Sequence, residues 1–225
     1  MISRTCPLLL GSASPRRSAL VGSLGIPFVV LPADIVEDVM PGETPLGYLE
    51  RIASAKLAAV QARLEREGPP AGAPAGVAGI LVADTTVMID DSIVGKPADV
   101  AEAVLTLNRL VGRTHTVFTR YLLWACPGAA AAGNSAHVSD RPRPPIGRTV
   151  QTQVSLRNAS PQEVLAYAAT GEGLDKAGAY AAQGLGAFLV ETVAGSYTNV
   201  VGLPVCELVS DLLLGRLLAS FPLVT

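Results

Sequence analysis

Cysteine and lysine are scarce in this sequence of 225 residues, and no apolar run is long enough to span a membrane. A spanning helix needs about 20 consecutive apolar residues, so no membrane partner is expected. The three cysteines lie far apart without a metal-site spacing such as C-x-x-C, which indicates unpaired thiols in a reducing compartment. The apolar run at 7–10 is too short for a secretory signal, so a cytoplasmic location is expected.

Charge is also scarce, at 16% of residues, whereas hydrophobic residues make up 49%. This composition is typical of a globular protein with a real core and not of a disordered chain. The net charge of −2 argues against nucleic acid as the main partner, although a local phosphate site does not need a basic protein. The length fits one domain over 1–225, or two small lobes that share a sheet.

Lysine is rare even among the basic residues. Of seventeen, only Lys56, Lys96 and Lys176 are lysines, and the other fourteen are arginines. Because arginine is so strongly preferred in this sequence, a lysine can indicate a position that needs a compact ammonium beside a phosphate or a carboxylate. Chance is the alternative.

Apolar periodicity predicts the main elements. Residues at three- and four-residue spacing predict a helix over 45–67, the clearest element of the sequence. A short apolar run predicts a buried strand at 80–83 that ends at Asp84, followed by a hairpin that turns at Asp90-Asp91. Further strands are expected at 7–10, 28–31, 114–125, 149–156, 187–190 and 197–201, and further helices at 16–24, 99–111, 161–169 and 205–219.

The segment Gly11-Ser-Ala-Ser-Pro-Arg-Arg17 follows a strand and opens a helix, a context that favours anion binding. Small residues let the backbone approach a ligand, the helix start supplies free N–H groups, and Arg16 and Arg17 supply charge. Positive side chains oppose the helix dipole at this end, and a bound anion would remove that conflict. The segment is not a Walker A loop, and a basic helix start on the surface is the alternative.

Five further charged residues are candidates for chemistry. A carboxylate at the end of a buried strand, such as Asp84, is costly unless it is paired or bound to a cation. The hairpin would return Lys96 near Asp84, as a functional pair or as a structural ion pair. Lys56 borders the apolar stripe of its helix, so its ammonium either follows the sheet or reaches solvent. Glu37 and Asp38 are candidate magnesium ligands or solvated loop acids.

Glycine and polar residues are densest between 171 and 204, and five glycines fall between 171 and 186. Such a segment builds tight turns that approach a ligand or a neighbouring backbone closely. Gln183 offers both a donor and an acceptor that could read the edge of a base. A serine hydrolase is discounted, because His115 and His137 show no triad pattern and Ser12 has no matching base nearby.

Taken together, these motifs resemble the Maf family of nucleoside triphosphate pyrophosphatases, in the family's order and over nearly the whole chain. The matching stretches are Ser12-Ala-Ser-Pro-Arg-Arg17, Ala83-Asp-Thr-Thr-Val87, Gly95-Lys-Pro97, Gly112-Arg-Thr-His115, Asp175-Lys-Ala-Gly-Ala-Tyr180 with Gln183-Gly184, and Gly195-Ser-Tyr197 with Val201-Gly-Leu-Pro204.

The resemblance implies an α/β fold, with a mixed twisted sheet, flanking helices and two lobes around a central cleft. It implies hydrolysis of a nucleoside triphosphate to the monophosphate and pyrophosphate, with a divalent metal cation, Mg²⁺ or Mn²⁺. The Asp-Lys-Ala-Gly-Ala-Tyr form resembles the branch that acts on dTTP and UTP, and not the branch that acts on 7-methyl-GTP. The resemblance therefore implies that the partner is a small-molecule nucleoside triphosphate and not nucleic acid or a membrane. It also allows a homodimer.

The resemblance also assigns roles. Asp84 matches the family's proton acceptor, which takes a proton from the attacking water, and Glu37 and Asp84 are the candidate metal ligands. Arg16, Thr85 and Gln183 match positions tied to substrate choice. The family's phosphate and metal site matches Ser12, Arg17, Glu37, Lys56 and Lys96.

Two departures from the family pattern stand out. The Pro-, Gly- and Ala-rich stretches at 69–79 and 125–148 are longer than the pattern needs, and they are expected to be flexible insertions. Ala182 stands where the family often has isoleucine, which puts the fine substrate preference in doubt. One alternative function is a non-catalytic nucleotide-binding regulator of cell division. A phosphotransferase is a weaker one, because no kinase or Walker signature is present.

Overall fold

The strand Gly79–Ile89 (β3) lies at the centre of the fold, and its first six residues are all buried. The structure is a computed structural model that describes residues 1–127 and 144–223. Along β3, Ile80 and Val82 pack into one apolar cluster, whereas Leu81 and Ala83 pack into another. Because successive residues of a strand point to opposite faces, both faces of the sheet are covered here.

The other strands are Leu8–Leu10 (β1), Phe28–Val30 (β2), Ser92–Val94 (β4), Thr114–Ala125 (β5), Ile146–Leu156 (β6) and Val190–Ala194 (β7). Within the described residues they form a seven-stranded sheet in the order β2-β1-β3-β5-β6-β7, with β4 paired to β3. The strand β1 runs parallel to β2 and β3, and the remaining pairs are antiparallel. The predicted mixed sheet with flanking helices is confirmed.

The helices are Pro15–Ser23 (α1), Pro45–Glu67 (α2), Val100–Leu110 (α3), Pro161–Ala169 (α4), Tyr197–Val201 (α5) and Val205–Leu214 (α6). The prediction for α2 is confirmed at both ends, with Thr44 as its N-cap. Ser160 and Glu163 form the capping box that begins α4, in which each side chain accepts from the backbone N–H of the other residue.

Several predictions of element bounds or type were wrong. The strand predicted at 149–156 begins three residues earlier, at Ile146. The strand predicted at 187–190 is the end of a 3₁₀ helix, Gly184–Leu189, and β7 begins only at Val190. The strand predicted at 197–201 is the helix α5, because the Ser196 hydroxyl accepts from the N–H of Asn199 and caps a helical turn despite the β-branched residues. The C-terminal helix ends at Leu214, five residues early, with Gly215 at its C-cap.

The helix α6 is tied to the sheet by a buried carboxylate. Asp211 is 1% exposed and accepts from the Tyr121 hydroxyl at 2.5 Å and from Nε of Arg148 at 2.8 Å. These donors and the Arg148 charge hold the pKa of Asp211 below its usual value, although burial opposes the shift. The helix α6 is therefore fixed against β5 and β6.

The structure describes all of the first predicted insertion, 69–79, but only the two ends of the second, 125–148. In the stretch 69–79, Gly79 already belongs to β3, Ala73 and Ala78 are buried, and the N–H of Ala78 donates to the carbonyl of Pro7 at 2.9 Å. Of the stretch 125–148, Ala125 belongs to β5 and residues 146–148 belong to β6, so these ends of the predicted insertion were wrong, and residues 128–143 lie outside the described residues. The flexibility of both segments stays a prediction.

Cys6, Cys126 and Cys206 are all unpaired. Among the helices of residues 1–127 and 144–223, none combines the length and the apolarity that a membrane crossing requires.

Candidate functional site

The turn between β1 and α1 lies at the bottom of a cleft. A Cβ atom on Gly11 would come within 2.7 Å of Val82 Cγ1 and 2.8 Å of Val60 Cγ2, so only glycine lets the backbone pass this close to the sheet. Ser14 caps α1, and the first turn of the helix contains no acidic residue. The positive end of the helix therefore faces the cleft without a carboxylate in that turn to balance it.

The guanidinium of Arg17 is fixed by three neutral acceptors. Its Nε donates to the Gly202 carbonyl at 2.8 Å, and its two terminal nitrogens donate to Ser12 Oγ at 3.1 Å and Thr85 Oγ1 at 3.0 Å. Burial lowers the pKa of Arg17, an effect that the charge of Asp84 opposes. Arginine stays charged in proteins, so this group is an oriented, partly unneutralised cation. The alternative in which the basic helix start is only a surface feature is therefore wrong for Arg17.

Lys56 lies at the centre of the site. It is 7% exposed, and its Nζ is 2.6 Å from Asp84 Oδ1 and 2.7 Å from Glu37 Oε1. The helix α2 places it there because Lys56 follows the buried Ile52 and Ala53 on the face that packs on the sheet. The alternative in which Lys56 reaches solvent is wrong.

The position predicted for Asp84 at a strand end was wrong. Asp84 lies in the middle of β3, paired with Arg120 of β5, and the strand continues through Thr85 to Ile89. A carboxylate that is 6% exposed is tolerated there because the Lys56 ammonium neutralises it. Its second oxygen, Oδ2, accepts no hydrogen bond from any described residue, and Asp84 lines the cleft.

Glu37 joins the loop after β2 to this centre. Burial alone would raise its pKa, but the hydrogen bond from Lys56 and the charges of Lys56, Lys96 and Arg17 bring the pKa below its usual value. Tyr48 on α2 donates its hydroxyl to the Glu37 carbonyl at 3.2 Å and so fixes the loop. Asp38 is exposed and does not line the cleft, as a solvated loop acid would be.

The hairpin after β3 returns Lys96 to the same cleft, but to a different partner from the one expected. Its Nζ lies 3.7 Å from Glu37 Oε2, and the Asp84 carboxylate is paired with Lys56 instead. The reason is that β3 continues five residues beyond Asp84 before the turn. All three lysines of the sequence, Lys56, Lys96 and Lys176, line this one cleft.

An ion pair crosses the mouth of the cleft. The guanidinium of Arg16 on α1 lies 2.8 Å from Asp175 Oδ2, and Nζ of Lys176 lies 2.5 Å from Asp175 Oδ1. Burial opposes it, but hydrogen bonds from Lys176 and Arg16 lower the pKa of Asp175 to about 2. This pair joins the two walls of the cleft, whose chain positions are 159 residues apart.

Gln183 lies on the wall that carries Asp175, directly before the 3₁₀ helix. It is exposed, and its side-chain amide makes no hydrogen bond with the part of the chain that the structure describes. The same wall contains Tyr180, whose hydroxyl is 2.8 Å from Nε2 of the buried His115. Burial lowers the pKa of His115 to about 4, so this histidine is neutral and packs against the wall without a triad.

Of the three acceptors that hold Arg17, Ser12 and Thr85 were predicted site residues, whereas the Gly202 carbonyl was not predicted. The Gly202 carbonyl is set by α5, where the buried Asn199 donates its amide to Val117 O at 3.1 Å and to Thr152 Oγ1 at 3.0 Å. Thr119 bridges the two sides, with its hydroxyl 2.9 Å from Thr85 Oγ1. The dense motif 195–204 was the available signal, but its pattern predicted a strand.

The cleft has a volume of about 800 Å³, and every candidate site residue except Asp38 lines it. Five cations and four carboxylates line it, and Arg16 and Arg17 lie in the first turn of α1. Such an arrangement suits a polyanion bound at the helix N-terminus, with a carboxylate close to the bound phosphates. The lining contains Ser12, Arg16, Arg17, Glu37, Lys56, Asp84, Thr85, Lys96, Glu172, Asp175, Lys176 and Gln183.

Comparison with known proteins agrees with this chemistry. Residues 7–214 match the family model described as Maf-like protein. A dTTP/UTP pyrophosphatase from Geobacter metallireducens is 42% identical over 91% of this chain and 94% of its own length. A protein of the same name from Moorella thermoacetica is 42% identical over 89% and 90%. A solved nucleoside-triphosphatase / dITP/XTP pyrophosphatase from Mycobacterium abscessus covers 93% of this chain and 94% of that one, but its TM-score of 0.37 and 12% identity carry no argument.

Proposed function

The chain belongs to the Maf family, and on that premise we propose that it hydrolyses dTTP and UTP to the monophosphate and pyrophosphate. The observation that carries the proposal is the buried ammonium of Lys56, held between Asp84 and Glu37 at the foot of a cation-lined cleft. Relatives about 40% identical over nearly their whole length are named dTTP/UTP pyrophosphatase, which supports both the reaction and the substrates. The proposal takes the enzyme to be cytoplasmic, with the triphosphate itself as its partner.

In this proposal the triphosphate binds at the start of α1. The free N–H groups of the helix and the guanidinium of Arg17 meet the phosphate oxygens, and Ser12 supports Arg17 from below. Lys56 and Lys96 stand on the opposite side of the bound phosphates. Donors that are already oriented stabilise charge as it develops on these oxygens, without reorganisation during the reaction.

Asp84 is the proposed proton acceptor. Lys56 holds Oδ1, which fixes the plane of the carboxylate and leaves Oδ2 for the attacking water. A carboxylate placed beside the scissile bond can take the proton of that water as the bond to phosphorus forms. The pyrophosphate then leaves toward the cations around Arg17 and Lys96.

A divalent cation fits the donor set of this site. The Glu37 and Asp84 carboxylates meet on one ammonium, so two hard oxygen donors are already gathered at one point. Magnesium is commonly held by one or two carboxylates together with substrate phosphates. The described residues contain no group of three or more histidines, cysteines or acids that could hold a metal ion. When bound by Glu37 and Asp84, the cation would neutralise phosphate charge.

The base is proposed to lie against the other wall of the cleft. The unpaired amide of Gln183 can match the N3–H donor and the carbonyl acceptors of uracil or thymine. Arg16 and Thr85 line the space between this wall and the phosphates. A polar site rejects a base with the wrong order of donors, because its own groups are then left unpaired.

We expect kcat/KM for dTTP and UTP to exceed the values for ATP, GTP and 7-methyl-GTP by roughly a hundredfold. The measurement is pyrophosphate release across these substrates, with CTP included, in Mg²⁺, in Mn²⁺ and in EDTA. A preference for a purine triphosphate would contradict the assignment to the pyrimidine branch. Tight nucleotide binding without turnover in either metal would instead favour the non-catalytic regulator.

A further inference from the structure

The carboxylate of Glu172 is held by three donors in the wall of the cleft. Oε1 accepts the N–H of Leu185 at 2.9 Å, and Oε2 accepts the N–H of Gly186 at 2.8 Å and the hydroxyl of Tyr167 at 2.9 Å. Burial opposes ionisation, but the backbone donors of Gly186 and Leu185 outweigh it, so the pKa of Glu172 is below its usual value. Glu172 is therefore charged at neutral pH, and its carboxylate binds the backbone N–H groups at the start of the 3₁₀ helix.

Two glycines shape the backbone around this group. Gly184 has φ of 75°, and a Cβ atom on it would lie 2.4 Å from Oε1 of Glu172. A Cβ atom on Gly186 would lie 2.4 Å from the Tyr167 hydroxyl and 2.6 Å from the Ala181 carbonyl. A side chain at either position would displace the carboxylate or its donors. The backbone of the turn 183–186 therefore packs directly against the carboxylate of Glu172, and its position depends on that carboxylate.

This turn carries the group that faces the base in the proposed function. Gln183 directly precedes Gly184, and both residues line the cleft together with Glu172. Because the amide of Gln183 has no hydrogen-bond partner among the described residues, its position depends on the backbone that carries it. That backbone is held by the carboxylate of Glu172 and not by contacts of Gln183 itself.

We propose that Glu172 determines pyrimidine choice as a positioning residue, by fixing the turn that carries Gln183. It touches neither the phosphates nor the reacting water in this arrangement. The inference rests on the proposed function, in which Gln183 reads the base. It predicts that Glu172 affects discrimination between bases much more than turnover.

The test is Glu172→Gln, which keeps the size of the side chain. An amide nitrogen then faces an N–H donor, so one backbone donor loses its acceptor and the turn shifts. We expect the ratio of kcat/KM for UTP over CTP to fall about tenfold, mainly through KM for UTP, with kcat for UTP changed by less than about threefold. The matched control is Glu163→Gln, because Glu163 also accepts a backbone N–H and lies on α4 outside the cleft.

An unchanged UTP to CTP ratio in folded Glu172→Gln would overturn the proposal. If that variant does not fold, Gly184→Ala tests the same turn without a change of charge, and an unchanged ratio there has the same meaning. Affinities for UTP and CTP measured by calorimetry in EDTA give a readout that is independent of turnover. If the wild-type protein binds UTP more tightly than CTP but does not cleave it, the proposed function is wrong. The role of Glu172 is then tested by whether Glu172→Gln lowers the ratio of the affinities for UTP and CTP.

Discussion

Asp84→Asn is expected to lower kcat for UTP by about a hundredfold or more, since a positioned acid or base is typically worth that much. The substitution keeps the size of the side chain and its place in β3, and it removes the oxygen that can accept the proton. It also leaves Lys56 paired with Glu37, so the buried ammonium keeps one carboxylate. The urea concentration at the midpoint of unfolding should therefore change little, although kcat falls strongly.

The matched control for this experiment is Asp91→Asn. Asp91 lies at the turn that follows β3, is exposed, and does not line the cleft. Asparagine is compatible with its positive φ of 55°. This control should turn over like the wild type. Near-native kcat in folded Asp84→Asn would remove Asp84 from the chemistry.

Lys56→Met is expected to lose both activity and stability. It leaves the buried Asp84 carboxylate and the Glu37 carboxylate facing each other without the cation between them. Removing one partner of a buried ion pair typically costs about 3–5 kcal/mol of unfolding free energy. The rate of pyrophosphate release should also fall by about a hundredfold or more, because an oriented cation beside the phosphates is lost.

Two further variants separate these effects. In Lys56→Met/Asp84→Asn the buried charge of Asp84 is gone and Glu37 keeps Lys96 at 3.7 Å, so stability in urea should recover substantially while activity does not. Lys96→Met removes an ammonium that is mostly exposed, with a side chain 61% accessible, so it should raise KM with little change in stability. Full activity in a destabilised Lys56→Met protein would mean that the buried pair serves the fold alone.

The sequence contained the local parts of the site. The Gly11–Arg17 segment is contiguous, and its small residues, Pro15 and paired arginines predicted a helix start suited to an anion, which α1 now provides. The stripe of α2 placed Lys56 at the edge of the buried face, and the scarcity of lysine marked Lys96 and Lys176 as well. These predictions depend on short-range periodicity and composition, which single sequences express directly.

The missing parts depend on contacts between distant segments. One of the three acceptors of Arg17 is the Gly202 carbonyl, a backbone atom that carries no residue-type signal. The pairing of Lys56 with Glu37 needs the path of the loop after β2, and the strand end predicted at Asp84 was wrong because tertiary pairing with β5 continues β3 to Ile89. The helix α5 was missed because its cap outweighs the strand propensity of its β-branched residues.

The products of UTP hydrolysis test the central claim most directly. Purified protein is incubated with UTP and Mg²⁺, and the nucleotide and phosphate products are resolved by anion-exchange chromatography and ³¹P NMR over time. The account predicts UMP and pyrophosphate in equal amounts from the earliest time points, with no UDP and no orthophosphate. Formation of UDP and orthophosphate would show cleavage at the terminal phosphate and would contradict the reaction proposed for this cleft.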